Sequence, residues 1–321
     1  MPAASFHVGM TTDTERPLYI SRARYHKVDR PQSPWFSAGF VIRTRAMNAP
    51  NATEPGQSNT ATEQAFYDDM WRKYAHLDAV SPAAIHRRRQ VTLVAKEYAP
   101  NAKVILDVGC GQGELLRDIA SSFPHAKIMG ADISEQSVAD SRKRNPSFEL
   151  FTIDLVVPDF EAKYAQYLGK ADLIICSEVV EHIDQAALAV NRLRLLAAPG
   201  GIIIVTVPGG RMSKFDVAIG HKRHYTTPML RGILTQAALE VLSVRAWGFP
   251  FHSIYREAVR VASRFAVGEP KEASASEEKK GGLSAVLGKA YTLFGKGLTP
   301  LFYLNISRWG EQMISVARRP R

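Results

Sequence analysis

The sequence predicts an α/β fold, a doubly wound and mostly parallel sheet, and three observations carry that expectation. Short apolar runs rich in β-branched residues recur at 104–108, 126–132, 148–153, 171–177 and 201–208. Uninterrupted runs of this kind suit strands buried on both faces. Stretches of helical period separate them, as at 114–120, 135–144 and 185–198, and strand–helix alternation is the mark of a parallel sheet. The first run ends in three glycines at alternate positions, Gly109, Gly111 and Gly113, directly ahead of a helix.

Composition narrows the class further. A length of 321 residues allows a sizeable core, and 45% hydrophobic with 22% charged residues is ordinary for a soluble globular chain. No run of 18 or more apolar residues predicts a membrane-spanning helix, and the first residues lack a signal-peptide pattern, so a cytoplasmic protein is expected. The net charge of +10 points to an acidic partner, nucleic acid or an anionic membrane surface. Cys110 and Cys176 fall in expected buried strand ends and read as reduced core thiols.

Residues 1–60 carry six prolines without sustained period and read as a poorly ordered extension, with Met47 as an alternative start. From Thr62 the aromatic stripes Phe66, Met70, Tyr74 and Tyr67, Trp71 predict a helix packed over the core or over the site as a lid. Ser81-Pro82 starts a second helix, with serine at the cap and proline at the first position, running to about Tyr98. Its Arg87-Arg88-Arg89 reads as a solvated face, or as a contact for an anionic substrate group.

The glycine turn is the strongest signal. Glycine takes φ > 0 and leaves no Cβ between the backbone and a ligand, and the helix behind it supplies unpaired N–H groups. The spacing is Gly-x-Gly-x-Gly, with Asp107 inside the strand; a carboxylate there disfavours a phosphate and suits a cationic ligand. Asp132 stands 23 residues beyond Gly109, near the interval at which an acid reaches ribose hydroxyls. Ser134 caps the next helix.

The string ILDVGCGQGELL, residues 105–116, resembles motif I of the class I S-adenosylmethionine-dependent methyltransferases, in the group of ubiquinone-biosynthesis O-methyltransferases and methyltransferase types 11 and 23. The resemblance covers about 65–250 and a final strand at 311–318. It implies a Rossmann-like seven-stranded sheet with the last strand antiparallel, and S-adenosylmethionine as cofactor. On that reading Asp107, Gly109, Cys110, Gly111 and Gly113 face the methionine moiety, Asp132 and Ile133 the ribose, Asp154 and Leu155 the adenine, and Ser177 the sheet edge beside the methyl donor.

After the fourth strand, Glu178, Glu181 and His182 would share one face if a helix began there. SEVVEH resembles the corresponding motif of the ubiquinone O-methyltransferases, and also the E-x-x-E-H of small-RNA 2′-O-methyltransferases, where it binds a divalent metal. GHKRHYT, 220–226, resembles an H-x-R-x-Y/F-T element of small-molecule methyltransferases. A hydroxyl acceptor must lose a proton, and His182 or His224 is the expected base, with Glu178 or Glu181 orienting it. Glu178, Glu181, His182 and His221 are the candidate metal ligands.

The expected organisation is an extension (1–60), a helical lid (61–100), the cofactor-binding core (101–250), a helical insertion (251–306) and the final strand (307–321). Within the insertion, 254–267 reads as a helix, 268–282 as a flexible linker, and the apolar stretch 283–304, with Lys289 and Lys296, as a lid, a dimer contact or a peripheral membrane contact. The functional expectation is O-methylation of a phenolic, sugar or lipid-linked small molecule. The alternatives are a metal-assisted RNA 2′-O-methyltransferase, which lacks an aromatic RNA-stacking signature, and a non-catalytic cofactor-binding scaffold.

Overall fold

The structure is a computed structural model that describes residues 60–266, 300–305 and 308–321. Two helices lead into the sheet, α1 (Thr60–Val80) and α2 (Pro82–Tyr98). Their junction follows from the sequence: Ser81 is extended and its hydroxyl accepts the Ala84 N–H, while Pro82 occupies the first turn, where no N–H is needed.

The strands are β1 (Val104–Val108), β2 (Lys127–Asp132), β3 (Glu149–Thr152), β4 (Ala171–Ser177), β5 (Ala197–Pro208), β6 (Glu240–Trp247) and β7 (Gln312–Arg318). They form one seven-stranded sheet in the order β3-β2-β1-β4-β5-β7-β6, with β7 antiparallel to both neighbours. The helices between them are α3 (Glu114–Ser122), α4 (Glu135–Arg144), α5 (Phe160–Lys163), α6 (Ala186–Leu196), α7 (Lys214–Ala218), α8 (Thr227–Gln236) and α9 (Phe251–Ala266). The expected Rossmann-like architecture is the observed one.

Each face of the sheet has its own core. One layer joins Ile174, Ile203 and Val205 to Val190 and Leu193 of α6 and Leu230 of α8. The other joins Ile105, Leu173 and Ile204 to Val91 and Val94 of α2 and Leu116 and Ile119 of α3. Full burial of a side chain such as Leu116 contributes about 1.5–3 kcal/mol. That is why β1, β4 and β5 read as mainly apolar runs, with Asp107 in β1 and Asp172 in β4 as the exceptions in the first two.

Several local expectations change. No α-helix starts at Glu178; the chain makes a single 3₁₀ turn, Val180–His182, and Glu178 itself takes φ 58°. Glu178 therefore departs from Glu181 and His182 instead of sharing a helical face with them. Of Arg87-Arg88-Arg89, Arg89 is exposed as expected but Arg87 is half-buried and Arg88 buried, because α2 packs on α3: Arg88 Nε donates to Asp118 at 2.9 Å. The short helices α5 and α7 offer too little periodicity to be read from sequence. The expected linker, 268–282, and most of the apolar stretch 283–304 lie outside the described residues. Among those described, no helix is long and apolar enough to cross a membrane, and both cysteines are buried free thiols.

Candidate active site

The glycine turn is fixed by main-chain bonds. The N–H groups of Gly109 and Cys110 donate to the Ala131 carbonyl at 2.7 and 3.1 Å, tying the end of β1 to the end of β2. That registration brings Asp132 under the turn, where its carboxylate accepts the N–H of Gly111 at 2.8 Å and of Ser134 at 3.0 Å. Burial pushes the Asp132 carboxyl up to about 6, against the lowering effect of these N–H bonds. Gly109 and Gly111 both have positive φ, and a Cβ on either would run into Val179 or Trp71 respectively. Glycine is thus required at both positions by the packing of Val179 and Trp71. Gly113 differs: it starts α3 and packs on Asn145 and Ser141, so its glycine is required by α4.

A cavity of about 110 Å³ runs from this turn along the sheet edge, lined by Gly109, Asp132, Ile133, Asp154 and Leu155. Asp154 is held by its own backbone, its Oδ1 accepting the Val156 N–H at 2.8 Å, while its N–H donates to Tyr164 Oη at 2.9 Å. α1 covers the cavity. Asp68 accepts from Ser134 Oγ at the start of α4, Trp71 lies on Gly111, and the Tyr67 ring stands edge-on to His182 at 5.6 Å.

A second cavity, about 310 Å³, lies on the other side of the turn. Asp107, Cys110 and Ser177 belong to its wall, with residues of α2, α7 and α9. The two cavities share Gly109, Glu178, His182, Met70 and Trp71. Glu178 accepts from Thr206 Oγ1 at 3.1 Å and faces Arg87 at 3.7 Å. Burial keeps the Cys110 thiol protonated, so it is a packing group here and not a nucleophile.

Beside that junction lies a run of imidazoles. His182 and His221 have ring centroids 4.7 Å apart, and His221 Nδ1 is 3.1 Å from His224 Nε2. His224 Nδ1 lies 3.2 Å from the Gly210 carbonyl, which can only accept, so Nδ1 carries the proton. In neutral rings His224 Nε2 must then accept from His221 Nδ1–H, which leaves His221 Nε2 with a lone pair. Burial favours the neutral rings, pushing His182 down to about 4 and His221 to about 3. Asp216, held in a capping box with Ser213 at the start of α7, stands 3.8 Å from His221 Nδ1.

Glu181 is fully buried beneath this run, and burial followed by the charge of Glu178 raises its carboxyl well above the usual range. Among the described residues, neither of its oxygens, nor His182 Nδ1, has a hydrogen-bond partner. One atom each from Glu181, His182 and His221 lies within 4.8 Å of the others, and the same holds for Asp216, His221 and His224. One carboxylate with two neutral imidazoles is a donor set that fits a divalent ion such as zinc or manganese. Glu178 is outside both groups, which corrects the expected ligand set.

The structure therefore brings together Gly109, Gly111, Asp132, Ile133, Asp154 and Leu155 on one side, and Glu178, Glu181, His182, His221 and His224 on the other. Sequence reasoning missed Asp216 and Arg256 as parts of the second group, and offered Arg87 only within the Arg87-Arg88-Arg89 triplet. The capping-box spacing Ser213-x-x-Asp216 was a readable signal for a helix start, though not for a site.

Residues 106–203 match a family model described as a methyltransferase domain. The trans-aconitate 2-methyltransferase of Variovorax paradoxus is 32% identical over 121 residues, 37% of this chain and 44% of that protein. The ubiquinone biosynthesis O-methyltransferase of Paraburkholderia xenovorans is 33% identical over 119 residues, 36% of this chain and 49% of that one. The aligned part is thus less than half the length of these curated relatives. A Haemonchus contortus phosphoethanolamine N-methyltransferase 2, solved with phosphomonomethylethanolamine and S-adenosylhomocysteine, superposes with a TM-score of 0.53 at 15% identity, over 80% of this chain and 60% of that one. That likeness is one of fold. With a motif-I turn, the seven-stranded sheet and the domain match in agreement, the chain carries a methyltransferase domain of the class I S-adenosylmethionine-dependent family.

Proposed function

We propose that the protein transfers the methyl group of S-adenosylmethionine to a hydroxyl of a small molecule. The observation that carries this reading is the shared wall of the two cavities at Gly109, Glu178 and His182, which lets a cofactor and an acceptor meet there. Glycine backbone, the Asp132 carboxylate and Asp154 suit the methionine, ribose and adenine parts, a carboxylate being able to accept from both ribose hydroxyls. An acceptor cavity of about 310 Å³ suits a small molecule more than a nucleic-acid strand. Oxygen is favoured as the acceptor atom because neutral imidazoles line the junction, where a hydroxyl needs a base and the sulfonium is already activated.

The chain's own part is to hold the two molecules in line, worth several kcal/mol, and to take the proton. Among the three histidines, His221 offers an unprotonated Nε2 by the hydrogen-bond chain from Gly210 and His224, so His221 joins His182 and His224 as a base candidate. The test is calorimetric binding of S-adenosylmethionine, followed by a screen of phenolic, sugar and lipid-linked acceptors with labelled methyl donor. A wild-type protein that fails to bind the cofactor ends this reading.

A second reading has its own support. The buried, unpartnered Glu181 carboxylate beside His182 and His221 would hold a divalent ion, which would polarise the acceptor oxygen. Stoichiometric metal retained after chelator dialysis in wild type, and lost in Glu181→Gln, would establish it; absence of uptake by the wild type would remove it.

A further inference from the structure

α9 lies outside the matched domain, yet it supplies a wall of the acceptor cavity through Tyr255, Arg256, Val259 and Arg260. The cations of that wall are not equivalent. Arg260 donates to Glu311 at 2.7 Å and Glu257 at 2.8 Å, so it is a structural clamp. Arg256 has only long contacts with acids, 3.5 Å to Asp216 and 4.0 Å to Glu311, although its side chain is 13% exposed. Those acids are held more closely by others: Asp216 by the Ser213 N–H at 2.7 Å and Oγ at 2.8 Å, Glu311 by Arg260. A secluded guanidinium carries five N–H donors in a planar fork, and distances of 3.5 Å and more leave most of that capacity aimed at the cavity.

Arg87 of α2 lines the same cavity, and its charge and that of Arg256 both act on the same two buried groups, Glu181 and His252. The hydroxyls of Ser81 and Tyr255, 3.5 Å apart, line the same space, while Ser213 Oγ donates to Asp216. The acids in the same wall are Asp107, Glu178 and Asp216.

Resting on the methyl-transfer reading, we infer that the acceptor is an oxyanion-bearing small molecule, whose carboxylate or phosphate group is seated on the Arg256 guanidinium with Arg87 facing it. The anion fixes the acceptor so that its hydroxyl lies at the Gly109–His182 junction. Specificity is thereby set from α9, outside the cofactor turn, and an uncharged analogue of the same size binds poorly.

The experiment is calorimetry on the full chain saturated with S-adenosylhomocysteine, titrated at constant ionic strength with inorganic phosphate and, separately, with succinate. The expected result is one-to-one binding of at least one of them, weakened tenfold or more in Arg256→Gln and partly restored in Arg256→Lys, which keeps the charge but not the fork. Binding of phosphate alone assigns a phosphomonoester acceptor, and of succinate alone a carboxylate. S-adenosylhomocysteine affinity equal to wild type in both variants certifies that they are folded. Neither anion binding, or equal binding by wild type and Arg256→Gln, overturns the inference. Failure of the wild type to bind S-adenosylhomocysteine would instead overturn the methyl-transfer reading.

Discussion

The two halves of the site are built on different principles. The cofactor half is main chain: Gly109, Cys110 and Gly111 are held by Ala131 and Asp132, and its geometry follows from strand register. The acceptor half is side chain: Arg87, Glu181, His182, Asp216, His221 and Arg256 come from five separate segments, and burial sets the charge states of Glu181, His182 and His221. The difference teaches that the first half tolerates little change in backbone shape, while the second tolerates little change in charge or tautomer.

The largest effect expected is on turnover. His221→Ala should lower kcat about 10²–10⁴-fold, the usual contribution of a positioned base, with cofactor affinity unchanged in calorimetry. Should His182→Ala lose as much while His221→Ala retains the wild-type rate, the base lies on the other imidazole. Next comes Gly111→Val, which adds a Cβ at φ 51° against Trp71. It should weaken S-adenosylmethionine binding by about two orders of magnitude, the scale on which a misplaced contact costs binding or rate, without reversing the imidazole titrations. Wild-type affinity in that variant would mean that the turn is not the cofactor cradle.

A smaller effect belongs to Asp132. Asp132→Asn should reduce cofactor affinity roughly 10–100-fold, since a hydrogen bond to a charged group is worth about 1.5–3 kcal/mol. The pH dependence has a definite sign. The Asp132 carboxyl is raised to about 6, and only its ionised form accepts from both ribose hydroxyls. Affinity should therefore hold above pH 6 and fall about tenfold per unit below it, a fall absent from Asp132→Asn.

The smallest effect is on stability and marks the acceptor half. Glu181 titrates well above the ordinary glutamate range when folded, so the folded state keeps a proton that the unfolded chain releases. Its contribution to stability is present below the unfolded value of about 4.3 and is lost as pH rises from there towards the folded value. In metal-free protein, the melting temperature of Glu181→Gln should exceed that of wild type by more at pH 7.5 than at pH 5. A gap independent of pH would show that Glu181 is ionised in the fold.

Much of the cofactor half was legible because it is local. Val104–Val108, the three glycines and the acid at 132 lie within one strand–helix–strand unit, and periodicity, glycine permissiveness and the end-of-strand rule act over short spans. The start of α2 at Ser81-Pro82 and of α4 at Ser134 were readable for the same reason.

What only the tertiary structure decided is where side chains from distant segments converge. Glu178 and Glu181 are three residues apart, yet a positive φ and a 3₁₀ turn send one to Thr206 and Arg87 and the other beneath the histidines. Arg87 reads as a surface residue until α2 is laid across the sheet, and Arg256 joins it only because α9 returns over the same edge. The sequence by itself determined the glycine turn, its flanking strand and helix, and the acids around them, since each is a property of a few consecutive residues. The acceptor cavity, the proton arrangement of its histidines and the partnership of Arg87 with Arg256 were decided by packing, because burial and long-range contact are properties of the folded chain alone.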